Sequence, residues 1–463
     1  MTHLFGVLST GTSALLTQQR AINVTGNNIA NVNTPGYSRQ RIVLETATPV
    51  GTAAGLMSFG VVSRGIERFY DRFLGVQIQA EASRSGRWEA EQAALERTEA
   101  QLDENGGWGI AAALSGFFGS WQDLVLRPGG EVERTVAVAA AERLAETVRS
   151  RYAELERMRR DLDRDLESAV EQVNRLALQV SELNGRIARA ELGGDTANDY
   201  RDRREQVLKE LAGLIDIQTS EAADGQVSVS TSGGRPLVES GNTWTLRVAP
   251  GDDGHARIFW PDLDGALADI TASVGGGRLG GLLAVRDGRL VAYQERIDEI
   301  ARGLLTEANA VHAAGFGLEG TTGTDLFAGS GAADLRLNPE VAENPGRLAA
   351  SATAAGVPGN ADNALRMLSL RETPILRGGT ATFEEAAQGL VSLVGFDVQQ
   401  ARAQAEHTSD MLGFLENHRE SVSGVSLDEE MVNLIRYQAA YQAAAKLVSL
   451  ADEMLDSLMT MVR

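Results

Sequence analysis

The sequence predicts a mainly α, elongated fold with a small inserted β domain, and three observations support that prediction. The last stretch, 427–462, contains no glycine or proline, and its apolar residues recur at alternating spacings of four and three. Residues 131–192 contain no proline and carry four heptads of the same spacing. Residues 214–275 instead hold short β-branched and aromatic runs between Gly, Pro and Asp turns. The heptad spacing indicates helices packed against other helices, whereas the short runs suit strands.

The composition excludes several classes of function. The chain of 463 residues has a net charge of −20 and no cysteine. Binding to nucleic acid or to an anionic membrane surface needs a basic face, so neither partner is expected. Without cysteine there is no disulfide, thiolate metal site or thiol nucleophile. Neither a cleaved signal peptide nor membrane insertion is predicted, because the N-terminus has no basic start and the most apolar window, 110–126, is too short to span a bilayer.

The N-terminal segment, 4–32, is predicted to be a helix that ends in a sharp turn. Its apolar face, which repeats every seven residues, consists of Leu4, Val7, Leu8, Leu15, Ile22 and Ile29. The stop signal that follows is Asn31-Val32-Asn33-Thr34-Pro35-Gly36-Tyr37. Pro35 and Gly36 suit the two central positions of a type II turn. The chain is then expected to leave as a strand over 37–45.

The other helices are expected to form a bundle beside the paired termini. They are predicted from about residue 66 to the breaker Asn105-Gly106-Gly107, over 110–126, 131–192 and 199–213, after 281, and from 383 to a joint at 421–426. Residues 50–66 hold glycines and short apolar runs with no clear period. The 131–192 helix could instead form a coiled coil between molecules, but other segments of matching length favour a bundle within the chain.

These elements divide the chain into four expected parts. The terminal helices, 1–48 and 425–463, pair as a coiled-coil core for polymerisation. The helical bundle domain takes 49–213, 276–324 and 376–424. A small β-rich domain, 214–275, lies furthest out, with strands expected at 226–230, 243–248 and 257–260. Residues 325–375 form an irregular connection rich in Gly, Ala and Asn.

The C-terminal helix has two apolar faces to cover. The first is a seam of Leu427, Met431, Leu434, Gln438, Tyr441, Ala445, Val448, Asp452, Leu455, Met459 and Val462. The second is a stripe of Ile435, Leu447, Ala451, Met454, Leu458 and Met461. We expect the seam to face the N-terminal helix and the stripe to face neighbouring subunits, because an exposed apolar strip this long indicates an assembly surface. The polar Gln438 and Asp452 are then candidates for setting the register.

The candidate assembly residues of this helix are therefore drawn from both faces. They are Met431, Leu434, Ile435, Tyr437, Tyr441, Val448, Met454, Leu455, Leu458 and Met459. The alternative is that the two terminal helices form a hairpin with each other and nothing more. That arrangement buries only one seam on each helix, so assembly is favoured.

No catalytic residue, cofactor site or metal site is predicted. Gly275–Gly280 matches the glycine pattern of a dinucleotide-binding turn, but the neighbouring segments do not indicate the parallel βαβ unit that such a site needs. The five histidines stand in separate contexts without ligand spacing. Asp428-Glu429-Glu430 is interpreted as a favourable charge at a helix N-terminus, with Ser426 as the N-cap.

Two motifs at the chain ends resemble a known family. The first is Ser13-Ala14-Leu15 followed by Asn27-Asn28-Ile29-Ala30-Asn31-Val32-Asn33-Thr34-Pro35-Gly36-Tyr37-Ser38-Arg39-Gln40. The second is Gly424-Val425-Ser426-Leu427-Asp428-Glu429-Glu430-Met431-Val432-Asn433-Leu434-Ile435-Arg436-Tyr437-Gln438. Together they resemble the flagellar hook-associated protein 1 family (FlgK) of the axial rod, hook and junction superfamily. The similarity covers most of the chain.

The resemblance implies a structural subunit and no enzyme. It implies a ring of identical subunits that forms the hook-side layer of the hook–filament junction, outside the cell and exported without a cleaved signal. The implied partners are the hook protein, the second junction protein and, before secretion, an export chaperone. The alternatives are a hook or distal rod protein of the same superfamily, a cytosolic coiled-coil scaffold and an NAD-linked enzyme using Gly275–Gly280.

The unmatched apolar faces predict weak order at both ends of an isolated monomer. A helix whose apolar stripe lacks a neighbour gains too little burial to offset the entropy of folding. We expect backbone amides over 427–462 to exchange at least ~100-fold faster than those of 131–192, measured by hydrogen exchange of the monomer. Equal protection of the two segments would contradict this expectation.

Overall fold

The computed structural model describes residues 2–52, 55–58, 60–102, 109–193, 196–262 and 264–461, and it is mainly α as predicted. The twelve helices of these residues are α1 Thr2–Ala30, α2 Arg72–Leu102, α3 Ile110–Leu126, α4 Glu131–Leu192, α5 Asn198–Leu214, α6 Gly277–Leu283, α7 Leu290–Gly303, α8 Asn309–Ala313, α9 Pro339–Glu343, α10 Asp362–Ser369, α11 Phe383–Ser423 and α12 Leu427–Met461. Two π-helical turns, Ala284–Arg289 and Leu304–Ala308, join α6, α7 and α8 into one continuous rod.

The strands are short and antiparallel. They are β1 Gln40–Thr46, β2 Val50–Thr52, β3 Gly55–Met57, β4 Val61–Arg68, β5 Ile217–Glu221, β6 Val227–Thr231, β7 Pro236–Glu239, β8 Asn242–Thr243, β9 Arg247–Pro250, β10 Ala256–Pro261, β11 Leu267–Asp269, β12 Phe327–Ala328 and β13 Arg336–Leu337. β1 pairs with β4 and β2 with β3, so 40–68 forms a long hairpin next to the terminal helices.

The helical bundle is built on α4. Its inner face buries residues at spacings of three and four, among them Leu155, Leu162, Leu166, Val173 and Val180. α4 packs against α3, α5 and α7, while α2 packs against α5, α6 and α11. Because the apolar seam of α4 is covered within its own chain, the bundle interpretation is confirmed and the intermolecular coiled coil is wrong for this helix.

The β-rich unit packs on the side of α4. Four strands run in the order β5-β6-β7-β8 and three in the order β11-β10-β9. Buried side chains of the unit, including Val229, Leu237 and Ile258, belong to the same apolar core as the bundle helices. The unit is therefore held to the bundle by a shared core.

The Gly- and Ala-rich segment after α8 has few regular elements, but its side chains are well buried. Leu326, Phe327 and Leu348 lie in the core. Arg134 of α4 donates from Nη1 to the Leu348 carbonyl at 2.6 Å, and burial lowers its pKa to about 10. His312 donates from Nδ1 to the Thr324 carbonyl at 2.7 Å, and its Nε2 accepts from Ala349 N–H. Side chains of the helices thus replace the missing ladder bonds.

Two boundaries and one segment with no assigned element differ from the sequence prediction. The first strand begins at Gln40 instead of residue 37, because the N–H groups of Ser38 and Arg39 bind Asp202 and the Ser423 carbonyl. The segment 50–66 holds the strands β2 and β3 and the start of β4, and the next helix begins at Arg72 instead of residue 66. The breaker Asn105-Gly106-Gly107 and the second residue of Gly193-Gly194 lie outside the described residues.

The strand predicted over 243–248 is divided in two. β8 ends at Thr243 and β9 begins at Arg247. Between them, Asn174 of α4 donates to the Leu246 carbonyl at 2.9 Å and accepts from the Leu246 N–H at 2.8 Å. One side chain therefore satisfies both backbone groups of a residue that leaves the ladder.

The glycines of Gly275–Gly280 serve close packing. Gly277 has a φ of +64°, and a Cβ there would lie 2.4 Å from Ile215 N. A Cβ on Gly280 would lie 2.6 Å from the carbonyl carbon of Gly275. The segment follows an antiparallel strand and a 3₁₀ turn, and among the described strands no parallel pair flanks it. The pattern is a tight junction between the β unit and α6.

Replacing Gly281 should separate α6 from α2. A Cβ on Gly281 would lie 2.2 Å from the Arg87 carbonyl oxygen, so Gly281→Ala should destabilise the bundle by about 1–3 kcal/mol through overpacking. The matched control is Gly288→Ala, since nothing lies within 4 Å of a Cβ at that position. The urea midpoint of unfolding measures both, and an equal midpoint for the two variants would contradict the close approach.

Candidate assembly site at the paired termini

α1 and α12 pack against each other in antiparallel orientation. Asn28 near the end of α1 contacts Glu430 at the start of α12, and Gly11 lies against Val448. The buried positions of the pair are mostly small or polar. They are Gly6, Gly11, Thr17, Ala21, Val24, Thr25 and Asn28 on α1, and Glu430, Ala444 and Ala451 on α12.

Small side chains determine how closely the two helices approach. A Cβ on Gly11 would lie 2.7 Å from the Cγ2 of Val448 and 3.4 Å from the Cδ2 of Leu447. Any larger residue at position 11 would push α12 away. The glycines and alanines that weaken α1 as an isolated helix therefore allow it to pair.

In the structure, the face of α12 that contacts α1 is rotated about the helix axis relative to the predicted seam. Leu434, Ala445, Val448 and Leu455 are partly covered, as a seam requires, and so is Tyr437. The remaining described members of the predicted seam are exposed: Leu427, Met431, Gln438, Tyr441, Asp452 and Met459. Gln438 and Asp452 therefore do not lie inside the α1–α12 contact, and their role in setting the register of an assembly stays a prediction. Val462 lies outside the described residues.

The predicted α1 residues lie beside the contact line. Leu4, Leu8, Leu15, Ile22 and Ile29 are each partly buried, and Val7 is exposed. The opposite side of α1 also packs on β1 and β4, where Thr17 Oγ1 donates to the Val61 carbonyl at 3.2 Å. α1 therefore lies between α12 and the hairpin, and its apolar residues are shared between the two.

A large apolar surface remains on the outside of α12. Leu447, Leu450, Met454, Leu458 and Met461 recur at spacings of three and four, so they lie on one side, and each is at least 40% exposed. Met431 and Ile435 add exposed apolar groups near the start of the helix. Ala451, which was predicted for this outer stripe, is instead buried against α1. The described single chain leaves this surface without a partner.

The turn after α1 has the predicted type II form. Tyr37 N–H donates to the Thr34 carbonyl at 3.2 Å, with Pro35 and Gly36 at the two central positions. Gly36 has a φ of +83°, which only glycine adopts without strain. A Cβ there would also lie 2.5 Å from the Oε1 of Gln206 on α5. The turn thus redirects the chain and approaches the bundle closely.

Asn28 joins the turn, the first strand and α12. Its Nδ2 donates to the Gln40 carbonyl at 2.8 Å and to Glu430 Oε2 at 3.1 Å. Its Oδ1 accepts from Gln40 N–H at 3.0 Å and from the Tyr37 hydroxyl at 2.9 Å. All hydrogen-bonding positions of the buried amide are used. Burial, with nearby carboxylates, raises the pKa of Tyr37, so its phenol stays neutral and donates.

Glu430 is the structural centre of the junction. Its side chain is 3% exposed and accepts from Arg39 Nε at 2.8 Å as well as from Asn28. Glu429 beside it accepts from Arg39 Nη1 at 2.6 Å but is 62% exposed. Interpreting the acidic run only as a favourable helix terminus was therefore incomplete, because Glu430 forms a buried ion pair with a residue 391 positions earlier in the chain. The sequence signal for this ion pair was the opposite charge of Arg39 in the N-terminal motif and Glu430 in the C-terminal motif.

The remaining candidates do not form a site. His255 lies 2.9 Å from Asp163 and His312 binds backbone groups, while His407 and His418 are exposed on α11. In the described part of the chain, no group of three His, Asp or Glu side chains could hold a metal ion. No helix of that part is long and apolar enough to cross a membrane.

Removing the Arg39 side chain should loosen the start of α12. Arg39→Met leaves Glu430 buried with one partner, and a hydrogen bond to a charged group contributes about 1.5–3 kcal/mol. Amides over 427–440 should exchange at least ~tenfold faster in the monomer, since about 1.4 kcal/mol is a factor of ten. Arg41→Met is the control, because its pair with Glu67 is exposed on both sides and contributes about 0–1 kcal/mol. Equal effects would contradict the buried pair.

Three family models match three separate parts of the chain. Residues 95–327, just over half of the sequence, match the flagellar hook-associated protein FlgK helical domain. Residues 8–37 match the flagella basal body rod protein, and 416–461 match the flagellar basal body rod FlgEFG protein C-terminal segment. The terminal segments thus match rod proteins, and the helical bundle matches hook-associated proteins.

Full-length relatives agree with the central match. Flagellar hook-associated protein 1 of Bacillus subtilis strain 168 is 28% identical, covering 98% of each chain. The protein of the same name from Escherichia coli K12 is 24% identical, covering 98% of this chain and 99% of the relative. The fold is similar to the solved flagellar hook junction protein FlgK from Burkholderia pseudomallei, with a TM-score of 0.67 and 17% identity over 75% of this chain and 100% of that one. With the helical-domain model spanning half of the sequence, the chain belongs to the flagellar hook-associated protein FlgK family.

Proposed function

We propose that this protein is a structural subunit of the bacterial flagellum that forms the hook-side layer of the hook–filament junction. Each subunit would join a ring of identical copies through the outer surface of its α1–α12 pair. The observation that supports this is the apolar side of α12, where Leu447, Leu450, Met454 and Leu458 are 40–57% exposed. Fully burying one such side chain stabilises an assembly by roughly 1.5–3 kcal/mol.

Packing, not chemistry, is the proposed mechanism. The contact between α1 and α12 uses small side chains, so the pair is thin and leaves its large apolar groups on the outside. A monomer seldom leaves a continuous apolar strip uncovered, because burial against a second copy removes that area from water. We assign no catalytic residue, and the glycine pattern of the NAD-linked alternative is accounted for by the close packing of α6.

The four parts of the chain would then have different roles. Residues 1–48 and 425–463 form the polymerising core, and 49–213, 276–324 and 376–424 form the bundle around it. The β-rich domain, 214–275, and the connection, 325–375, extend the bundle surface. The models that match 8–37 and 416–461 are models of rod proteins. This relationship is confined to the two ends of the chain, and it supports an axial role for the core.

The proposed partners follow from the place in the flagellum. Besides other copies of itself, the subunit would contact the hook protein on one side and the second hook–filament junction protein on the other. Before secretion, an export chaperone holding α12 would cover the same apolar side chains. The proposed localisation is extracellular, with export that cleaves no signal peptide.

A hook or distal rod protein is the second candidate within the superfamily. The rod models match only the terminal segments, whereas the hook-associated helical domain matches 95–327. Deleting the gene should therefore leave hooks intact and release filament subunits into the medium. Loss of the hooks themselves would favour the rod or hook alternative.

A charge on the outer side of α12 should block assembly without unfolding the bundle. Met454 is 51% exposed and Met431 is 50% exposed, so Met454→Asp or Met431→Asp places a carboxylate in the proposed contact. Each variant should raise the concentration needed for assembly at least ~tenfold, the loss of about 1.4 kcal/mol or more, as measured by sedimentation. The bundle should melt as in the unmodified chain.

The control carries the same charge on the same helix. Gln442→Asp is also exposed, but it lies outside the Leu447–Met461 apolar side, so it is the control for Met454→Asp and should assemble normally. Leu455→Asp is a poorer test, because Leu455 is partly covered in the structure and its replacement would disturb the pairing with α1. Normal assembly of Met454→Asp would remove this surface from the proposal.

A further inference from the structure

The attachment of the terminal pair to the bundle is polar. All members of the main apolar core, in the described part of the chain, lie between Ala94 and Ala401. None of them comes from α1, β1–β4 or α12. The terminal pair therefore shares no part of this core, and its contacts with the bundle include the chain connections near 69–71 and 424–426 and a set of hydrogen bonds and ion pairs.

The first turns of α5 receive most of these bonds. Asp202 accepts from Ser38 N–H at 2.9 Å and from Arg68 Nη1 at 2.8 Å. Ser38 lies just before β1 and Arg68 ends β4, so one carboxylate holds both strands of the hairpin. The side chains of Asp202 and Arg68 are 8% and 9% exposed.

Neighbouring residues of α5 extend the contact along both strands. Asn198 Nδ2 donates to the Ile66 carbonyl at 3.0 Å, on β4. Gln40 of β1 donates from Nε2 to Asp199 Oδ1 at 2.9 Å. Arg68 also lies 3.5 Å from Glu205. The hairpin is thus bound by acidic side chains of α5, and Asp202 is the most buried of them.

A cavity that opens to solvent lies beside this contact. It has a volume of about 360 Å³ and lies between the turn after α1 and the helices α2, α5 and α11. Pro35, Tyr70, Gln206 and Asn417 are among its lining residues. Apolar packing, which resists bending by filling space, is therefore weak at this position, and directional bonds must hold the geometry.

We infer that Asp202 is a positioning residue that fixes the angle between the paired terminal helices and the helical bundle. A charge-assisted bond from Arg68 and a backbone bond from Ser38 meet on one carboxylate, so rotation of the hairpin about either strand breaks one of them. Without Asp202 the two chain connections and the bonds of Asn198, Asp199 and Glu205 remain. Each of those residues binds only one strand, so together they permit bending into the cavity.

This inference rests on the proposed function only in its consequence for assembly. Subunits in a closed ring must present their contact surfaces at the same angle. A chain with a variable angle would therefore assemble poorly, although its α12 surface is unchanged.

The absence of cysteine makes the angle measurable in the full-length chain. Spin labels on Arg64→Cys in β4 and Ser168→Cys in α4, both exposed, report one distance across the joint by pulsed electron resonance. We expect a single narrow distribution for the parent chain. Asp202→Asn should at least double its width while the melting of the bundle stays unchanged.

Two further variants keep the result decisive. Arg68→Met removes the Arg68–Asp202 bond from the hairpin side, so it should also broaden the distance distribution. Because it leaves α5 unaltered, it tests the joint even where Asp202→Asn perturbs the bundle. Asp165→Asn, which removes a partly exposed carboxylate paired with Arg97 at 3.1 Å, should leave the distribution narrow. Narrow distributions in both Asp202→Asn and Arg68→Met would overturn the inference, as would equal broadening by Asp165→Asn.

The assembly assay separates this inference from the proposed function. Asp202→Asn should raise the assembly concentration at least ~fivefold with an intact α12 surface. If Met454→Asp assembles normally, the proposed function fails, and the distance measurement still tests the joint. If Asp202→Asn broadens the distance but assembles normally, the consequence for assembly is refuted.

Discussion

The buried carboxylate of Glu430 is the contact on which the arrangement of the chain ends depends. An ionised group is costly to bury unless it is paired and hydrogen-bonded. Arg39 and Asn28 supply those bonds from the two sides of the turn after α1. Because Asn28 also binds Gln40 and Tyr37, the start of α12, the end of α1 and the start of β1 can be satisfied only together. The junction therefore selects one pairing of two distant segments.

The helix pair reverses the usual distribution of side chains. Glycine and alanine occupy the inside, where Gly11 touches Val448 and Ala444 and Ala451 are buried. Leucine and methionine occupy the outside of α12. Contacts between small side chains bury little apolar area, so the pair gains specificity from its polar junction and leaves the large apolar side chains of α12 uncovered. The predicted weak order of the free monomer and the proposed association of the subunits would have the same physical origin.

Long periodic elements could be predicted from the sequence, and contacts between distant residues could not. The bounds of α3 and α4 match the predicted 110–126 and 131–192, because Gly and Pro end runs of clear period. The contact face of α12 was misjudged, since a helix that is apolar on several sides fits more than one seam. The burial of Glu430 depends on a residue 402 positions away, and the division of the 243–248 strand depends on Asn174 of another element. Neither leaves a local pattern.

The two kinds of contact in this chain have different mechanical consequences. The bundle from Ala94 to Ala401 has one continuous apolar core, whose stability depends on buried area and little on direction. The joint to the terminal pair has a cavity and a few bonds centred on Asp202, whose strength depends on angle. A subunit built in this way can keep a rigid bundle while its assembly core is set at a defined inclination. Because these bonds are few and two of them meet on Asp202, we expect this one side chain to control the angle.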